Sequence, residues 1–255
     1  MEQATRRWQA LIVPRRQGLV AASRSVQCHH SDLFGAIQMQ LGRRHLLTAG
    51  AALAIGRSAQ AALPVPQSRE LAFRIMRHGS QIGSHTLQFR CNGDALQVDI
   101  AVDVRVSLGP IPLVRYSHRN QESWQADRLI GLDSHTDRNG KILRMSACAT
   151  NAGLRVEGSG AAPYIAPRNA LASTYWYKAV LGGPIIGTQD GMLVHPAISQ
   201  PEPQPIHLAS GAEMPAKRYV LTGDLDVELW YDVSDTWAGM RFSVDDGSVI
   251  SYERM

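Results

Sequence analysis

The sequence predicts a mainly β fold: a curved antiparallel sheet or half-barrel, laid out as a β-meander with one short helix. Three observations predict it. Apolar and polar residues alternate with period two along most of residues 71–252, the pattern of strands with one buried face. Short polar turns join the stretches, which forces neighbours to pair antiparallel. No amphipathic helix of ordinary length interrupts the pattern outside residues 169–181.

Each element has its own warrant. Leu71, Phe73 and Ile75 form one apolar face, and His78-Gly79-Ser80 turns the chain. Leu87, Phe89 and Cys91 follow, then Asn92-Gly93, a hairpin signal because both residues tolerate positive φ. The clearest strand comes next. Leu96, Val98, Ile100, Val102, Val104 and Val106 point one way, and Gln97, Asp99, Ala101, Asp103, Arg105 and Ser107 the other. Pro110 and Pro112 end it, because proline cannot donate to a ladder. Extended stretches are expected at 114–124, 129–136, 142–149 and 154–157, with Asn139-Gly140 as a second hairpin turn. Residues 169–181 read as a helix with Asn169 as its N-cap and Gly182-Gly183 as its end. Residues 182–216 are proline-rich and irregular. Strands then return: Leu225, Val227, Leu229 and Tyr231 face the core, while Asp224, Asp226, Glu228, Trp230 and Asp232 form a solvated face.

A leader precedes this domain. Residues 41–47 (LGRRHLL) place Arg43 and Arg44 just before a short, weakly apolar run over residues 46–55. Ala59-Gln60-Ala61 supplies a small-x-small cleavage signal, so cleavage is expected after Ala61. The run is half the roughly 20 residues that span a bilayer, which predicts a removable signal and no stable transmembrane segment. The pattern resembles a twin-arginine (Tat) signal, with Gly42, Leu46 and Thr48 departing from its usual residues. It implies the Tat translocase as export partner and the periplasm as destination. Such signals start a few residues before the arginines, so translation is expected to begin at Met39. Residues 1–38 are then an extension upstream of the true start, or disordered. The expected organisation is a signal over 39–61, a linker over 62–70 and a single β domain over 71–255.

Charge follows the same division. Residues 1–61 hold eight Lys+Arg and two Asp+Glu, whereas residues 62–255 hold 18 and 20. The basic balance belongs to the leader, and no basic stripe for nucleic acid remains in the mature part. Cys91 and Cys148 are too few for a disulfide framework. An oxidising compartment would permit a bond between them, but two buried free thiols are expected.

Motif chemistry is sparse. There is no phosphate-binding glycine loop, no nucleophile elbow, no His-Glu-x-x-His and no Cys-x-x-Cys, so no cofactor or metal is expected. His195 and His207 stand isolated. One constellation carries weight: alternation puts Tyr116, His118, Asn120, Glu122 and Trp124 on one face, and Asp133, His135 and Asp137 on a face of the next strand. If the two faces coincide, His118, Glu122, Asp133 and His135 converge as acid-base groups; otherwise the face is wet, or His118 is a core histidine. Tyr175-Trp176-Tyr177 forms either a ligand-binding aromatic patch or a plug over the sheet's open side.

Four stretches together resemble a known family. They are residues 73–85 (FRIMRHGSQIGSH), 116–124 (YSHRNQESW), 132–141 (LDSHTDRNGK) and 219–232 (YVLTGDLDVELWYD). The family is a group of uncharacterised, Tat- or Sec-exported proteobacterial proteins known only as a domain of unknown function, with GDLDxELWYD as its most specific motif. The resemblance implies export and a β fold. A related family is similar to the half-barrels that carry lipoproteins across the periplasm, which implies shape by analogy alone. The resemblance implies no catalytic residue. The expectation is an exported, non-enzymatic binder of an apolar or amphipathic, lipid-like ligand. The alternative is an envelope hydrolase or acid-base enzyme using His118 and Glu122.

Overall fold

The computed structural model describes residues 63–108 and 111–255. The expectations for residues 1–61, with Arg43, Arg44 and the cleavage after Ala61, lie outside the described residues.

A meander of eight strands comes first: β1 (Glu70–Arg77), β2 (Ser80–Asn92), β3 (Ala95–Leu108), β4 (Ile111–Gln125), β5 (Arg128–Arg138), β6 (Lys141–Ala149), β7 (Leu154–Gly158) and β8 (Ala161–Ala166). The turns at His78-Gly79 and Asn139-Gly140 are the expected ones, whereas β8 is a strand beyond the stretches expected from alternation. Asn139 (φ 52°) and Gly140 (φ 85°) both take the left-handed conformation, which matches the twist of the flanking strands. The Asp137 carboxylate accepts the Gly140 N–H at 2.7 Å and locks that turn. After an excursion the chain returns through β16 (Ala216–Thr222), β17 (Val227–Asp232), β18 (Trp237–Ser243) and β19 (Val249–Arg254). β19 pairs with β1, so both meanders fuse into one 14-stranded sheet. The sheet is curved and antiparallel, and its two ends do not meet to close a barrel.

The excursion is made of two-residue strands: β9 (Leu171–Ala172), β10 (Ile185–Ile186), β11 (Leu193–Val194), β12 (Ala197–Ile198), β13 (Glu202–Pro203), β14 (Ile206–His207) and β15 (Glu213–Met214). β9, β10 and β11 form a small sheet of their own, and β12 and β13 pair with β16. The helix expected over residues 169–181 does not form; only a 3-10 turn over Lys178–Gly182 does. The reason is competition from pairing and side chains. The Ser173 N–H donates to the Ile186 carbonyl at 2.9 Å, and Tyr175 sits at φ 60°, which no right-handed helix admits.

One apolar face of the sheet makes the core. Phe73, Leu87, Val98 and Leu229 are buried there at the positions alternation assigns, together with Leu132, Val156 and Ile250. The excursion lays Trp176, Ile185, Ile186 and Val194 against it. A second, small cluster sits on the other face, where Trp230, Ala216 and Ala238 are covered by Ile206 and Met214. The expected solvated face of β17 is thus partly covered, and Glu228 is half-buried between Arg218 (2.7 Å) and Arg241 (2.8 Å). The cysteines also differ from expectation. Cys91 is an exposed free thiol, and Cys148 is half-buried on β6. Cys91 ends the β2 alternation beside the hairpin turn. No helix among the described residues is long and apolar enough to cross a membrane.

Candidate functional site

Register decides which polar residues meet. In the β4–β5 pair, Gln121 lies opposite Asp133 and Arg119 opposite His135, while His118 lies opposite Thr136 and Glu122 opposite Leu132. Directly opposed residues share a face. Asp133 and His135 therefore project from the face opposite to His118 and Glu122, and the expected convergence of the four is corrected. The parity of each strand was read properly; the pairing that joins them is offset by one.

The inner face holds a buried polar cluster. Glu122 is 0% exposed. Its Oε2 accepts the indole N–H of Trp124 (2.9 Å) and of Trp176 (2.8 Å), and its Oε1 accepts the Thr174 hydroxyl at 2.7 Å. Burial pushes its carboxyl above the usual range, and the hydrogen bonds from Trp176, Thr174 and Trp124 oppose that rise. His118 shares a hydrogen bond of 2.8 Å between Nδ1 and the Thr136 hydroxyl. Burial, with Arg119 and His135 adding repulsion, pushes its pKa down to about 4. His85 on β2 lies among Phe73, Trp237 and Tyr252 with both ring nitrogens unbonded, and burial takes its pKa down to about 3. Four residues of strand separate His118 from Glu122, roughly 13 Å at 3.3 Å per residue. Each is held by a different partner, and nothing joins the two.

The aromatic triplet belongs to this interior. Tyr175 and Trp176 are buried and Tyr177 is half-buried. Trp176 meets Phe89 and Trp124 edge-on, with centroids 5.2 and 5.3 Å apart. The Tyr231 hydroxyl donates to the Tyr175 carbonyl at 2.8 Å and secures its left-handed conformation. The triplet thus covers the apolar face and is pinned there by Glu122.

The outer face of β2–β7 is different. It forms a groove of about 690 Å³, a size typical of small-molecule sites. Two adjacent cross-strand rows line it. One runs Thr86, Ala101, Arg119, His135, Arg144; the other runs Gln88, Asp99, Gln121, Asp133, Ser146, Glu157. The first row carries the cationic groups and the second the carboxylates. Most of these charges are engaged. Arg119 Nη2 donates to both Asp103 oxygens (2.9 and 2.8 Å). Asp99 accepts from Gln97 (3.1 Å) and Gln121 (2.8 Å), and Glu157 pairs with Arg155 at 2.8 Å. The guanidinium of Arg144 and the carboxyl of Asp133 enter no ion pair or hydrogen bond among the described residues. Desolvation raises the Asp133 carboxyl. His135 Nδ1 is buried without a hydrogen bond.

Sequence reasoning found Asp133 and His135 but missed Arg119, Gln121, Arg144, Ser146 and Glu157. Their signal was outward parity on successive strands, which gathers residues only once register is known. It also missed His85, although His85 shares the parity of Leu87 and Phe89. His195 and His207 stay apart: the His195 N–H donates to Asp224 at 3.0 Å, and His207 faces Glu213 at 3.7 Å on the surface. Among the described residues no group of three or more His, Cys, Asp or Glu side chains is placed to hold a metal ion.

No curated protein matches the chain. Among solved structures, it is similar to a beta-barrel-like protein of the domain of unknown function DUF1849 from Brucella abortus. That likeness has a TM-score of 0.50 at 9% identity and covers 73% of this chain and 94% of that one. It concerns the fold alone, and agrees with a mostly β, barrel-like curvature. The model of the family described as a domain of unknown function (DUF6134) matches residues 73–255. The chain belongs to that family.

Proposed function

We propose that this is an exported, non-enzymatic binding protein that takes a small polar molecule, or the polar part of an amphipathic one, in the outer groove of β2–β7. The groove carries this reading: about 690 Å³ of open space, lined by polar groups of which Arg144 and Asp133 are uncommitted. The interior supports a purely apolar ligand less well, because the excursion of the chain itself occupies the apolar face and Trp176 is tied to Glu122. Export rests on Arg43-Arg44, the short apolar run and Ala59-Gln60-Ala61, which support delivery by the Tat translocase to the periplasm.

One experiment tests both halves. The full chain and its Arg43→Lys/Arg44→Lys variant are expressed with their leaders, and the processed protein is recovered from the periplasm. The expected result is a mature chain starting at residue 62 for the wild type and retained precursor for the variant. Native mass spectrometry and thermal-shift screening of the mature chain should find a polar ligand that Ala101→Trp, which fills the groove floor, no longer holds. Cytosolic wild-type precursor overturns the export half. A ligand unaffected by Ala101→Trp overturns the groove.

A further inference from the structure

We infer that the groove selects a zwitterion, a phosphate and an ammonium joined by a short linker, with Arg144 holding the phosphate and Asp133 the ammonium. This rests on the reading of the groove as a ligand site. The argument is one of elimination by partners. The groove contains cationic and anionic side chains in adjacent rows, and the structure neutralises them selectively. Arg119 is taken up by Asp103, Asp99 by Arg90 and two amides, and Glu157 by Arg155. What remains is one cation and one anion, Arg144 and Asp133, beside His135 and Ser146.

Their placement gives the ligand its dimensions. Arg144 lies directly opposite His135, and Asp133 directly opposite Ser146. Arg144 and Asp133 are therefore diagonal neighbours on adjacent strands, positions roughly 7–8 Å apart. A charge-assisted hydrogen bond takes about 2.8 Å at each end. The two ligand charges must then lie within a few bonds of each other. A phosphate and an ammonium linked through two carbons meet that limit when the linker is folded. The end of the groove at Arg144 suits an anionic group such as a phosphate, because the planar guanidinium offers a fork of donors, with the His135 ring directly opposite. At Asp133 the carboxylate offers acceptors only, with the Ser146 hydroxyl opposite it, a pair that suits an ammonium. The same chemistry occurs free and as the headgroup of a phospholipid.

Calorimetric titration of the mature protein tests the inference, with glycerophosphoethanolamine as probe and glycerol 3-phosphate and ethanolamine as its halves. Vesicles of phosphatidylethanolamine and of phosphatidylglycerol complete the set. The zwitterion should bind at least about tenfold more tightly than either half, roughly the gain from one added charge-assisted contact. Asp133→Asn should reduce the zwitterion to the affinity of glycerol 3-phosphate, and Arg144→Gln to that of ethanolamine. Neither side chain supports another, so both variants should fold. Preference for the soluble probe assigns a free ligand, and preference for phosphatidylethanolamine vesicles assigns a membrane headgroup; either supports the inference. Equal binding of glycerol 3-phosphate overturns the zwitterion while leaving the groove a ligand site. Binding of any probe that Ala101→Trp leaves unchanged overturns the groove as well.

Discussion

The two faces of β4 and its neighbours carry similar residue types to opposite ends. Inward, His118, Asn120 and Glu122 are buried, and the His and Glu are held by Thr136, Thr174, Trp124 and Trp176. Outward, Arg119, Gln121, Asp133 and His135 line a groove, and part of that set lacks partners. Residue type does not separate the two sets; burial does, together with the partners that hold His118 and Glu122. A buried polar group with all its bonds made holds structure together, whereas an uncommitted one at a groove wall is available to a ligand. If this contrast is right, substitutions on the two faces should have unlike consequences.

The largest effect is expected at Glu122. Glu122→Ala strands two indole N–H groups and a threonine hydroxyl in the interior and removes the pin on the excursion. A loss of about 3–5 kcal/mol is expected, in line with breaking a buried, charge-assisted network. Glu122→Gln keeps an accepting oxygen and should lose less. Urea denaturation measures both. A loss below about 1 kcal/mol for Glu122→Ala would place the carboxylate outside the structural role assigned to it.

A smaller effect, and one of opposite sign at the two inner groups, concerns pH. The folded state keeps His85 and His118 neutral down to about 3 and about 4, while the unfolded chain protonates near the ordinary histidine value of 6.5. The unfolded state then binds more protons between these limits, so stability falls as pH drops below 6.5. Glu122 works against this. Its raised pKa means that folding favours the protonated acid, a contribution present below 4.5 and lost as pH rises through the folded value. Each histidine should therefore contribute about 2 kcal/mol of lost stability between pH 7 and pH 5. His85→Phe should flatten the profile by that amount, at little cost at pH 7, because both its ring nitrogens lack partners. Glu122→Gln should steepen it. Urea midpoints from pH 4 to pH 8 distinguish the two, and parallel profiles for wild type and His85→Phe would contradict the assignment.

Much of the fold was legible because period two is local. The inward set from Leu96 to Val104 and the turns at His78-Gly79 and Asn139-Gly140 fall where alternation and positive-φ preference put them. The excursion was less legible. Residues 169–181 resemble a capped helix, yet Ser173 and Thr174 spend their polar groups on Ile186 and Glu122, partners distant in sequence. The same limit hid the groove. His135 and Arg144 are nine positions apart in the chain and directly opposed in the sheet, and only register reveals it. His118 and Glu122 were recognised as a distinct face, but whether that face was wet or buried depended on the excursion that covers it.

The smallest effect sharpens the contrast most. Arg144→Gln and Asp133→Asn should each change stability by less than about 0.5 kcal/mol, the usual range for surface positions without partners. Desolvation already disfavours the Asp133 carboxylate, so Asp133→Asn should be neutral or slightly stabilising at pH 7. Both should fold as the wild type does, with unchanged urea midpoints. An Arg144→Gln loss above about 1 kcal/mol would mean that the guanidinium supports the sheet, and the outer face would then differ from the inner only in exposure. With that loss absent, two charges of opposite sign stand side by side in a groove and contribute nothing to folding. A group that neither folding nor a neighbour employs is the kind a bound molecule can use.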